Sequence, residues 1–320
     1  MPKRPRVVVF DPIPGDWSFA EEADALAGRG VDLVVPATPE EADEAIRDAT
    51  AIIVTGVRRL DAERIAGLRQ AVGILCYSIG MDKVDGPAAQ AAGLVVRNVP
   101  DYCTDEVSDH AVTLLLAAER RLVPIAAATF KRWGRHPELT GSIHRLRGQT
   151  LGILGAGRIG RMVARKARVF GFETITHDPI VADTGESELQ SVSFDDLLAR
   201  SDALVLCAAL TPTSRGIIGE EALQRVKPGV LIVNVARGEL IDEAALADAL
   251  LDGRVGHAAL DVRAPEPPDP KDDPLEGIEN VTHTPHMAAT SQEAIHDLHR
   301  LAARYLLEVL ENAGCIPAVA

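Results

Sequence analysis

The stretch Thr150-Leu151-Gly152-Ile153-Leu154-Gly155-Ala156-Gly157-Arg158-Ile159-Gly160 limits what this chain can fold into more than any other. Its apolar first half reads as a buried strand, and the glycines follow at once. Arg161 to Val169 then sets Met162, Val163, Ala164 and Ala167 among basic residues, which reads as a helix. Strand, G-x-G-x-x-G, helix is the context a dinucleotide-binding turn needs. Gly155 permits the tight turn, Gly157 lets backbone approach a pyrophosphate, and Gly160 lets helix and strand pack. The helix N-terminus offers its free N–H groups to the phosphates. A second strand, Glu173 to Thr176, ends in His177-Asp178. An acid there accepts hydrogen bonds from a ribose 2′-OH and repels a 2′-phosphate, so the expected cofactor is NAD rather than NADP. Glycine-rich turns also serve other nucleotides, S-adenosylmethionine among them.

The same alternation runs through the rest of the chain. Strands are expected at 6–10, 31–35, 51–54, 72–76 and 94–96, with helices between them. Continuous apolar strands alternating with helices mean a parallel sheet covered on both faces. Asn98-Val99-Pro100 breaks the pattern. A long helix follows, from about Thr104 to Arg121, and Lys131 to Arg147 reads as irregular. From Thr150 the alternation returns, with strands at 151–154, 173–177, 203–207, 230–235, 257–261 and 280–283. Helices are expected at 160–169, 194–199, 219–225 and 242–251, the last capped by Asp242, and a final helix at about 291–311. The chain therefore reads as two doubly wound α/β units: residues 1–100 plus 287–320, and residues 101–286. Sites in such units lie at the carboxyl ends of strands.

Composition excludes several function classes. A net charge of −14 and 3% aromatics argue against a nucleic-acid surface, and the charge argues against an anionic membrane partner. Cys76, Cys103, Cys207 and Cys315 are isolated, so no metal site is expected. The basic N-terminus, Met1 to Arg6, precedes an apolar run of only Val7 to Phe10, too short for a secretion signal. A cytoplasmic protein is the expectation.

Three strand ends carry chemistry. Asn234-Val235-Ala236-Arg237-Gly238 closes one, Leu260-Asp261-Val262 with Glu266-Pro267 the next, and Thr284-Pro285-His286 the third. An arginine holds a carboxylate or polarises a carbonyl with its fixed, charged fork. A histidine supplies or takes the proton at the developing or reacting hydroxyl. A carboxylate beside it fixes the ring. Each tripeptide alone has an ordinary structural reading, as a strand-end turn, a solvated acid or a helix cap. Together, after a complete dinucleotide turn, they suit hydride transfer to a 2-keto acid.

On these motifs, with Leu210-Thr211-Pro212-Thr213, the chain resembles the D-isomer-specific 2-hydroxyacid dehydrogenases over nearly its whole length. The resemblance implies a Rossmann cofactor domain inserted into a flavodoxin-like substrate domain. It implies a catalytic set of Arg237, Glu266 and His286. NAD would lie against Gly155, Gly157, Arg158, Ile159 and Gly160, with Asp178 on the adenosine ribose. Cys207, Ala208, Thr211, Ala236 and Asp261 would line the rest of the cofactor. The substrate carboxylate would meet a loop at Ser78, Ile79 and Gly80, and Arg237. Relatives often carry Arg-Tyr-Gly-Val-Gly-Val-Asp-Asn there; this chain has Cys76, Ser78 and Lys83 in place of the Arg, the first Gly and the Asn. The resemblance further implies a homodimer with the helix near 104–121 at its contact. Val99 to Val107 is similar to the branch that includes the C-terminal-binding-protein corepressors, so an NAD(H)-sensing role without catalysis, or beside it, is the alternative reading.

Lys131, Arg132, Arg135, Arg145 and Arg147, with His136 and His144, gather in a segment with one acid, Glu138. The preferred reading is a solvated loop or subunit contact. The sharper reading is a cationic rim for a 2-keto or 2-hydroxy acid bearing a second anionic group.

Overall fold

Each short apolar run of this chain becomes one strand of a parallel sheet, because only a sheet covered on both faces buries residues of both parities. The computed structural model describes residues 4–12, 18–140, 143–181 and 189–318. Met1 to Lys3 of the basic N-terminus, and positions 141 and 142 of the basic segment, lie outside them. The chain divides into two units, Met1–Cys103 with Ser291–Ala320, and Thr104–Thr290. The divisions fall at 103 and 290, against the 100 and 286 read from the sequence. The physical reason for the second is Asp261, whose carboxylate accepts the amides of Met287 and Ala288 and so keeps them with the larger unit.

The first unit holds β1 (Arg6–Val9), β2 (Asp32–Val34), β3 (Ala51–Val54), β4 (Gly73–Cys76) and β5 (Val95–Asn98). All pair in parallel, in the order β2-β1-β3-β4-β5, the flavodoxin-like order. The period of two is visible in the core. Val7, Val9, Ala51, Ile53 and Leu75 face one way, against Leu26, Leu298, Ala302, Leu306 and Leu310. Val8, Phe10, Ile52, Val54 and Ile74 face the other, against Leu60, Ile65 and Ala89. The helix Gln292–Asn312, capped by Ser291, thus belongs to this unit. A buried polar cluster joins it to the sheet. The Tyr77 hydroxyl donates to Glu22 and lies 2.6 Å from His299 Nδ1, which is 2.8 Å from Glu22 Oε1. Burial, then the charge of Glu22, pushes the Tyr77 phenol well up from its ordinary value.

The second unit holds β6 (Thr150–Leu154), β7 (Glu173–His177), β8 (Gln190–Ser191), β9 (Ala203–Leu206), β10 (Val230–Asn234), β11 (Val255–Leu260) and β12 (Val281–His283). They are parallel, in the order β12-β11-β10-β9-β6-β7-β8. The chain runs outward from β6 to one edge, then returns to β9 on the other side. That reversal is the topological switch of a Rossmann sheet, with its crevice at the carboxyl ends of β6 and β9.

Two helices differ from expectation. The helix after Gly157 starts at Arg158 rather than 160, because Gly157 is already its extended N-cap. The helix Thr104–Glu119 is followed by a separate one, Leu122–Lys131, which the sequence did not suggest. Arg121, at φ 51°, turns the chain between them. Pro124 is tolerated because it lies in the first turn, where amides have no partner within the helix. Part of the segment expected to be irregular, Pro137–Thr140, is one helical turn.

Gly73 carries a stability prediction. A Cβ there would lie 2.5 Å from Val309 Cγ1 on the last helix. Gly73→Ala should therefore lower stability by about 1–3 kcal/mol, as overpacked cores do. Adding Val309→Ala should recover part of the loss in thermal melts; no recovery would mean that the helix does not press on β4 as described.

Candidate active site

Two of the fingerprint glycines are required by the protein's own packing. Gly155 follows β6 at φ 103°, and a Cβ on it would lie 2.8 Å from the Ala208 nitrogen. A Cβ on Gly160 would lie 2.0 Å from the Gly155 carbonyl oxygen. Strand, turn, helix and the end of β9 close only without those side chains. Gly157 is different, since a Cβ there would meet nothing within 4 Å. The open space before the first helical turn fits a pyrophosphate. Arg158 and Ile159 open this turn.

Asp178, just past β7, accepts from Ala156 N at 2.8 Å, Ile180 N at 2.8 Å and Val181 N at 3.0 Å. Burial pulls its carboxyl up, but these donors outweigh burial and hold it below the ordinary carboxylate range. It stays ionised beside the glycine turn. Cys207 and Ala208 follow β9, and burial pushes the Cys207 thiol up to about 12, which leaves it inert. Thr211 turns inward on itself, exchanging bonds with Ser214 in both directions.

The chemistry-bearing residues sit past β10, β11 and β12. Asn234, fully buried, donates to the Arg237 carbonyl and accepts from Ala236 N, which bends the chain at the end of β10. A Cβ on Gly238 would lie 2.1 Å from the Arg263 carbonyl carbon, so the turn after β10 and the strap after β11 touch main chain to main chain. That contact brings Arg237 and Glu266 into one neighbourhood. His286 adopts φ 52°, a left-handed conformation uncommon for histidine. Its amide donates to the Asp261 carbonyl at 2.8 Å. The Asp261 side chain, 1% exposed, accepts from Thr284 Oγ1 at 2.6 Å and from the amides of Met287 and Ala288. His110 Nε2 lies 3.0 Å from Thr284 Oγ1. The turn that carries the histidine is therefore braced from beneath by a buried carboxylate.

His286 Nδ1 lies 2.8 Å from Glu266 Oε2, and the other oxygen of Glu266 accepts from Arg263 N at 2.9 Å. Burial alone would raise the Glu266 carboxyl. The His286 bond and charge, the Arg263 amide and the Arg237 charge outweigh it and hold the carboxyl below its ordinary value. Glu266 is thus ionised at neutral pH. With Nδ1 turned to it, Nε2 is the ring nitrogen that faces away from Glu266.

The loop Ser78-Ile79-Gly80 belongs to the other unit. The Ser78 carbonyl accepts from Val99 N, and the Ile79 carbonyl accepts from Asn98 Nδ2 at 2.6 Å. In a trans peptide the N–H points opposite to the C=O. The amides of Ile79 and Gly80 therefore face away from these internal donors.

Sequence reasoning assigned no role to Asn234, Arg263, Thr284 or His110. An Asn at the end of a strand is a known turn signal, so Asn234 was findable; the other three act through contacts distant in sequence. Among the described residues, no group of three or more His, Cys, Asp or Glu is arranged to hold a metal, and no helix is long and apolar enough to cross a membrane. Gly157→Ala tests the cradle. Its melting temperature should stay near that of the parent, while NADH affinity measured by fluorescence falls about tenfold or more, a loss of about 1.4 kcal/mol. Unchanged affinity would separate Gly157 from the cofactor.

Comparison with known proteins agrees with this geometry. The family model described as "D-isomer specific 2-hydroxyacid dehydrogenase, NAD binding domain" matches residues 112–288. The chain is 40% identical over 252 residues to the D-3-phosphoglycerate dehydrogenase of Mycobacterium leprae, covering 78% of this chain and 47% of that one. It thus spans about half the length of that curated relative. It is 36% identical to the glyoxylate reductase of Korarchaeum cryptofilum, covering 82% of this chain and 80% of the relative. A solved glyoxylate reductase from Paecilomyes thermophila superposes with a TM-score of 0.84 at 33% identity, covering 98% and 97%. With the fingerprint turn, the sheet order and these matches in agreement, the chain belongs to the NAD-binding D-isomer-specific 2-hydroxyacid dehydrogenase family.

Proposed function

We propose that this chain is an NAD-dependent reductase of a 2-keto acid, giving the D-2-hydroxy acid and working reversibly. The observation that carries the reading is the Glu266–His286 pair at 2.8 Å, with the Arg237 charge acting on the same carboxylate. NADH, when bound, supplies the hydride to C2. The residues of the chain do the rest. Arg237 holds the carboxylate or polarises the carbonyl with its fixed, charged fork. As the C=O electron pair moves onto oxygen, His286 Nε2 donates its proton there. In the oxidative direction the neutral ring takes the hydroxyl proton back. Glu266 keeps the ring in one orientation and balances its charge when protonated. Gly155 to Gly160 carry the pyrophosphate, Asp178 the ribose, and the segments at Cys207, Ala208, Thr211, Ala236 and Asp261 line the remainder.

The pH dependence follows from Glu266. Its folded value lies below the ordinary one of about 4.3. It is ionised above that range, and its contribution is lost as pH falls through the lower folded value. His286→Ala should lower kcat by about 10²–10⁴-fold with NADH affinity near that of the parent. Glu266→Gln should reduce kcat by about ten- to a hundredfold, since a neutral amide can keep the bond to the ring but no longer balances its charge. Turnover that survives His286→Ala would remove it as the acid.

The substrate is to be sought by NADH oxidation with glyoxylate, pyruvate, hydroxypyruvate, phenylpyruvate, oxaloacetate, 2-ketoglutarate and phosphonopyruvate. The names of the relatives, glyoxylate reductase and D-3-phosphoglycerate dehydrogenase, span small and doubly anionic acids. Lys131, Arg132, Arg135, Arg145 and Arg147 are exposed. Turnover confined to the doubly anionic acids supports a cationic rim; turnover of small acids makes the segment structural. Tight NADH binding with no turnover would favour the sensing role.

A homodimer is part of the reading. The helix expected at its contact, Thr104–Glu119, buries its apolar face inside its own unit. The next one, Leu122–Lys131, buries no residue, and Phe130 and Trp133 are 94% and 89% exposed. A second copy of this apolar face is the occupant proposed for it. Light scattering should give a dimer for the parent and a monomer for Phe130→Glu; a monomeric parent would refute it.

A further inference from the structure

Arg263 is a charged residue buried where the reaction needs none. Only 7% of it is exposed, and its guanidinium is held by two carboxylates outside the candidate catalytic set. Its Nε and Nη2 donate to the two oxygens of Glu243 at 2.8 Å each, and Nη2 donates to Asp273 Oδ1 at 2.6 Å. Glu243 opens the helix Glu243–Leu251, and Asp273 lies in the loop before Leu275. Both carboxylates also hold main chain, since Glu243 Oε1 accepts from Ala264 N and Asp273 Oδ1 from Leu275 N. The guanidinium therefore pins the strap after β11 to two other elements at once. The Arg263 amide, three residues before Glu266, is the donor to Glu266 Oε1, and its carbonyl is the group that rests on Gly238, next to Arg237.

We propose that Arg263, clamped by Glu243 and Asp273, is a positioning residue that sets the place of Glu266 against His286. This rests on the reading of Glu266 and His286 as the pair that handles the proton. A planar fork with two carboxylates fixes direction as well as distance, which a lysine does not. Its charge is compensated on the spot, so it acts on the reaction through the strap and not through its field. Bringing reacting groups out of line by about an ångström costs on the order of a hundredfold in rate.

Removing the arginine alone leaves two buried carboxylates unpaired, and such a variant can fail to fold. Three variants are therefore compared with the parent and with Glu266→Gln: Arg263→Lys, Arg263→Met, and the triple Glu243→Gln/Arg263→Met/Asp273→Asn, which leaves no unpaired charge. Rates are referred to the folded fraction counted by NADH binding, with the panel acid that the parent reduces fastest. Crystal structures report the separation of Glu266 and His286 directly and need no turnover. The triple variant should fold, lose the 2.8 Å contact and drop in kcat by about a hundredfold, with KM and NADH affinity within about threefold of the parent. Arg263→Lys should fall between. A brace of stability alone would lower the melting temperature and leave kcat and the contact unchanged, and that result overturns the proposal. If Glu266→Gln itself keeps the parent's kcat, it is the reading of the proton pair that fails. If Glu266→Gln is impaired and the triple variant is not, only the role of Arg263 fails.

Discussion

Main chain lies directly on main chain at two places beside the candidate site, which hangs from both. At Gly155 and Gly160 the turn after β6 closes on itself and on the start of the segment after β9. At Gly238 the turn after β10 rests on the carbonyl of Arg263. A methyl group at any of the three would overlap backbone, which cannot move aside as a flexible side chain can. The spacing of the loops at the carboxyl ends of β6, β9, β10 and β11 is thus set without side chains. Side chains are then free to be chosen for chemistry.

A second rule, carboxylates spent on backbone amides, holds the loops once they are placed. Asp178 takes three such donors, and Asp261 takes the amides of Met287 and Ala288. The smaller unit repeats the device where β1 and β3 end, with Asp11 accepting from Thr55, Gly56 and Arg58. The three differ in outcome. Burial wins at Asp11 and its carboxyl is raised, whereas the donors win at Asp178 and Asp261 and hold theirs down. Charge-assisted bonds of this kind are short and directional, so each loop has one arrangement rather than several. Glu266 follows the same rule with one oxygen and leaves the other for His286.

How much of this was legible in the sequence depended on the range of the interaction. The glycine turn, Asp178 and the three strand-end motifs were readable because their signals are local and periodic. The strands were readable for the same reason, and so was the Asp242 cap, which accepts from Ala244 and Ala245. The helix Leu122–Lys131 was missed because a mid-segment proline reads as a breaker unless the preceding break at Arg121 is known. The two-residue strand Gln190–Ser191 carries too little pattern to be seen, and only its pairing with Ile175 and Thr176 defines it. Arg263 opens a stretch rich in proline and acid, Arg263 to Asp273, which by its sequence reads as a loop. Its partners at 243 and 273 are brought to it by the fold, and no spacing rule connects them.

The left-handed turn at His286 has an evolutionary consequence. Its backbone shape is dictated by Asp261, through a carbonyl, a side chain and the neighbouring amides, and not by the imidazole. Asparagine and glycine enter that conformation more readily than histidine does. Another residue could therefore stand at 286 without disturbing the fold or the glycine cradle. The scaffold at the end of β12 is thus indifferent to the side chain it carries at 286.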